Sequence, residues 1–163
     1  MERLWTPWRM EYIQAAHHDD VECLLCAEPA ANDDERYLIL ARTSLAFACL
    51  NIYPYNPGHL LIAPFRHESD LEALSDDEAG ECDALLRRSV AALKESMRPQ
   101  GFNLGMNLGQ VAGAGVPGHV HWHVVPRWGG DTNFMPIVGE TRVLPELLAD
   151  TYRKLRPLFA ATP

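Results

Sequence analysis

The chain is 163 residues long, 47% hydrophobic and 22% charged, proportions that suit one globular domain with a real buried core. Its formal net charge of −8 argues against broad nucleic-acid binding, which rests on clustered Lys and Arg, but leaves room for a small phosphate ligand held by imidazoles and backbone N–H groups. No apolar run approaches the ~20 residues of a membrane-spanning helix, and Met1 to Met10 lacks a signal peptide's apolar core, so a soluble cytoplasmic protein with no membrane partner is expected.

Residues 1–35 read as an irregular N-terminal arm, with one helical turn expected over 10–15. Within the arm, Cys23-Leu24-Leu25-Cys26 has the two-residue spacing of a zinc half-site, a weak signal by itself. Without a secretion signal a disulfide framework is not expected. Cys49 and Cys82 sit in apolar runs where a thiol packs as a small hydrophobe. Short strands are expected over 37–42, 45–50 and 59–64. The link at 51–58 carries Pro54, Asn56, Pro57 and Gly58, the residues of turns. Ser75-Asp76-Asp77-Glu78 is a capping-box pattern opening a helix to about residue 97, with Leu85, Leu86, Val90 and Leu93 as its apolar stripe and Pro99 beyond its end. A strand over 102–108, a glycine-rich loop over 109–118, a further strand, and a C-terminal helix over 142–159 (Pro145 being an alternative start) follow. About five strands, two main helices and mostly short connections favour antiparallel pairing and an α+β fold. No repeat or low-complexity linker divides the chain, so residues 1–163 are expected to form a single domain, with 140–163 as a helical extension.

His119, His121 and His123 alternate in Gly118-His119-Val120-His121-Trp122-His123-Val124-Val125-Pro126-Arg127. In an extended strand this places three imidazoles on one face and turns Val120, Trp122 and Val124 into a core. Packing alone rarely calls for three titratable rings in such a row. Three chemistries fit them: a histidine that attacks phosphorus, a metal site, or simple anion binding. The preceding Gly109-Gln110-Val111-Ala112-Gly113-Ala114-Gly115-Val116-Pro117-Gly118 can bring backbone N–H groups against phosphate oxygens, which favours the first. Gly58-His59 offers a fourth imidazole ahead of a strand.

The histidine run resembles the His-φ-His-φ-His-φ-φ signature of the histidine triad (HIT) superfamily of nucleotide hydrolases and transferases. Asn51 to His59, with Pro64-Phe65-Arg66-His67 beyond the next strand, is similar to that family's first half. Leu4-Trp5-Thr6-Pro7-Trp8-Arg9-Met10 and Pro126-Arg127-Trp128-Gly129-Gly130-Asp131-Thr132-Asn133-Phe134 resemble a bacterial branch labelled diadenosine tetraphosphate phosphorylase, or ATP adenylyltransferase. The resemblance implies a HIT-like fold and a two-step displacement at the α-phosphate of a dinucleoside polyphosphate. His121 would be the nucleophile, with the His119 carbonyl holding its Nδ1–H. His123 and His59 would meet phosphates and leaving group, Asn51 the ribose, and Asn107 the approach to the phosphate loop. At Gly115, Val116 and Pro117 many family members carry Gln and Ser or Thr, so phosphate contacts there would come from the backbone N–H groups of Gly115 and Val116. Arg127, Trp128, Asp131, Thr132 and Asn133 read either as a second nucleotide or phosphate subsite or as a surface loop with a core tryptophan.

The resemblance further implies a structural zinc held by Cys23, Cys26, His67 and His119, with His17 and His18 as rival ligands, and no organic cofactor. It also implies a homodimer whose sheets join side by side, and inorganic phosphate or water as acceptor. Other readings are a HIT-type hydrolase of nucleoside phosphoramidates or dinucleoside polyphosphates, a metal-dependent hydrolase, and a nucleotide-binding protein without turnover.

Overall fold

The computed structural model describes residues 23–131 and 146–160. The expected turn at 10–15, the rival ligands His17 and His18, Thr132 and Asn133, and the start of the expected C-terminal helix at 142–145 all lie outside the described residues. Among the described residues the elements run α1 (Leu24–Ala30), β1 (Ile39–Arg42), β2 (Ala46–Leu50), β3 (Leu60–Pro64), α2 (Asp76–Met97), β4 (Gly101–Met106), β5 (Trp122–Arg127) and α3 (Leu148–Ala160). The strands form one antiparallel sheet in the order β1-β2-β3-β5-β4, so the architecture is the α+β one read from the sequence.

Period-two alternation in the strands separates two faces. Ala46, Ala48 and Leu50 of β2, with Leu60 and Ile62 of β3 and Val124 of β5, pack under Cys82, Leu85 and Leu93 of α2 and Tyr152, Leu155 and Phe159 of α3. Phe47 and Cys49 point the other way and bury with Ile39, Ala63 and Leu25 of α1. His123 stands opposite Leu61 in the β3–β5 register, and Leu61 packs on this second group, so His123 shares the face away from α2 and α3.

The expected capping box is present: Ser75 Oγ accepts the Glu78 N–H at 3.2 Å and Glu78 Oε2 accepts the Ser75 N–H at 2.9 Å. α1 is a departure from the irregular arm expected at 1–35. It has seven residues, no side-chain N-cap and Pro29 inside it, and it is held by burial of Leu25 and Pro29 rather than by propensity. The second departure is at the last strand. The β5 ladder starts at Trp122, so His119 and His121 precede it, in a segment held by the Val120 N–H on the Glu68 carbonyl at 2.6 Å.

Candidate active site

Gly58 positions the first imidazole. Its φ is +75°, and a Cβ there would stand 2.8 Å from Met97 Sδ and 2.9 Å from Leu93 Cδ2, so both the turn and the packing on α2 require glycine. His59 follows and is fully buried. Its Nδ1 accepts the Tyr55 backbone N–H at 3.0 Å, and the Tyr55 ring stacks on it with centroids 4.8 Å apart. His59 Nε2 lies 3.0 Å from His123 Nδ1. Asn51 stands alongside: its Oδ1 accepts the Tyr53 N–H at 2.9 Å and its amide nitrogen is 3.4 Å from His59 Nδ1.

The His121 ring sits next to that of His123, with centroids 5.0 Å apart, and is almost fully buried. Its Nδ1 is 2.7 Å from the His119 carbonyl oxygen. A carbonyl only accepts, so Nδ1 carries the proton and Nε2 keeps its lone pair. Burial depresses the His121 pKa, against the opposing pull of the His119 carbonyl, which favours the neutral ring.

His119 precedes the β5 ladder and turns its ring away from His121 and His123, so the three rings do not share one strand face as extended geometry alone predicts. The ring meets His67 edge-on at 5.3 Å, and its Nε2 is 2.9 Å from the Pro64 carbonyl oxygen. That bond places the proton on Nε2 and leaves the Nδ1 lone pair facing Cys23 Sγ at 3.4 Å and Cys26 Sγ at 3.5 Å. Cys26 Sγ is 3.3 Å from His67 Nδ1, and the four ligand atoms all lie within 4.8 Å of one another. A tetrahedral zinc with sulfur at ~2.3 Å and nitrogen at ~2.0 Å has ligand–ligand edges of roughly 3.3–3.8 Å. The three sulfur–nitrogen separations of 3.3, 3.4 and 3.5 Å match those edges, and two cysteines with two histidines are a donor set that fits the ion. The Pro64 carbonyl supplies the outer partner that a zinc-binding imidazole ordinarily has.

The glycine loop returns to the histidines through the Val116 carbonyl, which accepts the His119 N–H at 3.2 Å. Asn107 donates to the Gly113 carbonyl at 3.3 Å and so braces the loop from its start. Gly115 is half-buried, and Val116 packs on the Leu25–Phe47 group. Arg127 lies at the end of β5 with Nε and Nη2 on the Asp131 carboxylate (2.6 and 2.9 Å) and Nη1 on Asn103 Oδ1 (2.7 Å). Its guanidinium is thus engaged by protein partners. The sequence reading did not single out Tyr55, whose contribution is a backbone N–H that no residue type announces. Asn56, read from the sequence only as a turn residue, donates its amide N–H groups to the Pro126 carbonyl (2.9 Å) and to Asp131 Oδ2 (2.8 Å).

An antiparallel sheet with one face under helices, buried imidazoles on the other and a glycine loop running into them defines an α+β class whose chemistry rests on alternating histidines. The chain belongs to the HIT domain family, whose model matches residues 34–130. It is 45% identical to a Mycobacterium tuberculosis protein named AP-4-A phosphorylase, over 100% of this chain and 87% of that protein. It is 33% identical to the Schizosaccharomyces pombe bis(5'-nucleosyl)-tetraphosphatase [asymmetrical], over 55% of this chain and 48% of that one. Among solved structures, a zinc-bound histidine triad family protein from Mycobacterium smegmatis superposes with a TM-score of 0.69 at 28% identity, covering 85% of this chain and 94% of the other.

Proposed function

We propose that this protein is a nucleotidyltransferase of the histidine triad type that cleaves dinucleoside polyphosphates at the α-phosphate. The observation that carries this reading is the His121 ring: buried, protonated at Nδ1 by its bond to the His119 carbonyl, and so left with a nucleophilic Nε2. In the first step Nε2 attacks the α-phosphorus, the bond to the leaving polyphosphate oxygen breaks, and the nucleotidyl group stays on His121. In the second step an oxygen of inorganic phosphate attacks, the P–N bond breaks, and a nucleoside diphosphate leaves. Water in that role would make the enzyme a hydrolase. The full-length likeness to a protein named AP-4-A phosphorylase supports diadenosine tetraphosphate as substrate and phosphate as acceptor.

In this reading His123 and His59 meet the phosphates and the leaving group, Asn51 the ribose, and the Gly115 and Val116 N–H groups the equatorial oxygens, with Asn107 bracing their loop. Catalysis comes from positioning and from charge stabilisation around phosphorus. Cys23, Cys26, His67 and His119 would hold a structural zinc, a closed set of four protein ligands that would brace the fold beside His121. A homodimer joined along β4 is supported by that strand's place at the sheet edge and its exposed Leu104. A cytoplasmic setting fits four cysteines that stand as thiols, and no helix among the described residues is long and apolar enough to cross a membrane. The net charge of −8 supports a small-molecule substrate rather than nucleic acid.

The test is incubation with α-labelled diadenosine tetraphosphate followed by denaturing mass analysis. An adenylyl adduct on His121 is expected, with ADP formed only when inorganic phosphate is added. His121→Ala is expected to lose the adduct and to slow turnover by on the order of 10⁴-fold or more. Near-normal turnover in that variant ends the reading.

A further inference from the structure

Asp131 collects an unusual number of donors for a residue in a turn. Its Oδ2 accepts from Arg127 Nε at 2.6 Å, from the Asn56 amide at 2.8 Å and from the Trp128 N–H at 3.2 Å, and its Oδ1 accepts from Arg127 Nη2 at 2.9 Å. Asn56 is 5% exposed, and its amide nitrogen reaches the Pro126 carbonyl at 2.9 Å as well. The 51–58 loop is therefore pinned by one side chain to the end of β5.

What the pinned loop delivers is a backbone N–H. Asn56 accepts the His59 N–H at 3.1 Å, and the neighbouring Tyr55 N–H donates into His59 Nδ1 at 3.0 Å. A backbone N–H only donates, so Nδ1 of neutral His59 is the acceptor and its proton resides on Nε2. That Nε2–H then donates to His123 Nδ1 at 3.0 Å, which puts the proton of neutral His123 on its Nε2. The adjacent His121 has the opposite polarity, with its proton on Nδ1 and a lone pair at Nε2. Two neighbouring rings thus offer one lone pair and one N–H. Attack on phosphorus uses the lone pair, and departure of an oxyanion is assisted by the N–H.

We propose that Asp131, with Arg127 and Asn56, is a positioning clasp that sets the tautomer of the His59–His123 pair and so makes His123 a hydrogen-bond donor to the departing or equatorial oxygen. Arg127 then serves the clasp and not a phosphate. The consequence for turnover rests on the function proposed above; the tautomers do not.

The two are separated by reading tautomers directly, from long-range ¹H–¹⁵N correlations of ¹⁵N-histidine protein at neutral pH. In the wild type, Nε2–H patterns are expected for His59 and His123, and an Nδ1–H pattern for His121. In Asp131→Ala the His121 pattern should persist, which reports an intact fold, while His59 and His123 become tautomer mixtures. Turnover should fall at least about tenfold, mainly in kcat, because a positioned donor is lost and ground-state binding is kept. Asp131→Asn, which keeps the side chain's shape, should fall between the two. An Nδ1–H pattern for His59 in the wild type overturns the proposal, whether or not a variant folds. So does an Asp131→Ala spectrum unchanged at His59 and His123. Absence of an adduct on His121 would instead remove the proposed reaction and leave the clasp standing.

Discussion

At the scale of single residues, the ring and the carbonyl of His119 face two different places. Its ring lies among Cys23, Cys26 and His67, while its carbonyl holds the Nδ1–H of His121. Losing the cluster should therefore be felt two residues away. Cys26→Ser removes a sulfur placed 3.3 Å from His67 Nδ1 and 3.5 Å from His119 Nδ1. Metal content per chain, measured by elemental analysis, should fall well below one. Adduct formation on His121 should slow roughly 10- to 100-fold, the range seen when groups that orient a metal site or its neighbours are lost. Full metal retention in Cys26→Ser would show that this cysteine is not a ligand. The alternation of histidines was legible from the sequence because a strand has period two. The setting of the His119 ring beside the thiols could not be read from that spacing and came only with the family resemblance, because it depends on where the β5 ladder begins and on partners about 55 to 96 positions away in the chain.

At the scale of elements, the joint between α2 and the segment after β3 governs how that segment meets the site. Arg66 reaches both oxygens of Glu78 at 2.8 Å, Glu68 at 2.8 Å and the Ala73 carbonyl at 2.8 Å. Glu68 in turn offers its carbonyl to Val120, between His119 and His121. The Arg66 guanidinium, ahead of the Ser75 N–H, lowers the Glu78 pKa from 4.5 to about 2. A carboxyl depressed in the folded state stabilises fully above its unfolded pKa and loses that contribution as pH falls through the folded one, here between about 4.5 and 2. Glu78→Gln should therefore melt lower than the wild type at pH 7, by roughly 2–4 °C for about 1 kcal/mol of lost cap and ion pair. The gap should close as both are titrated toward pH 2, in thermal melts run across that range. A gap independent of pH would assign the loss to packing. The capping box itself could be read from Ser75 and Glu78, which lie within one helical turn. Arg66 could not, because its pairing is set by how β3 delivers the chain to the helix start. α1 escaped notice for the converse reason: seven residues with an internal proline carry no local helix signal, and burial of Leu25 holds them.

At the scale of the whole molecule, the two edges of the sheet differ. β1 is buried along most of its length and is crossed by Arg156 of α3, which donates to the Leu40 carbonyl at 2.9 Å. Among the described residues β4 has no such cover. Leu104 pairs with Val124 in register and so belongs to the helix side of the sheet, yet it is 49% exposed where Val124 is fully buried. Leu108 and Val111, beyond the strand in sequence, are exposed as well. The α+β class followed from short connections read in the sequence, whereas the placing of β5 between β3 and β4 did not, since strand order depends on long-range pairing. An open edge bearing apolar side chains pairs with another strand unless charge or cover prevents it, and a second β4 related by a two-fold axis satisfies both edges at once. Analytical ultracentrifugation at micromolar concentration should thus give twice the 18.3 kDa chain mass for the wild type. Leu104→Glu places like charges across that axis, close enough to repel, and should shift the protein to the monomer mass. Its far-ultraviolet circular dichroism should stay unchanged, because the side chain it replaces is half exposed within one chain. A monomeric wild type under these conditions would refute side-by-side pairing. A dimer untouched by Leu104→Glu would move the contact to another face.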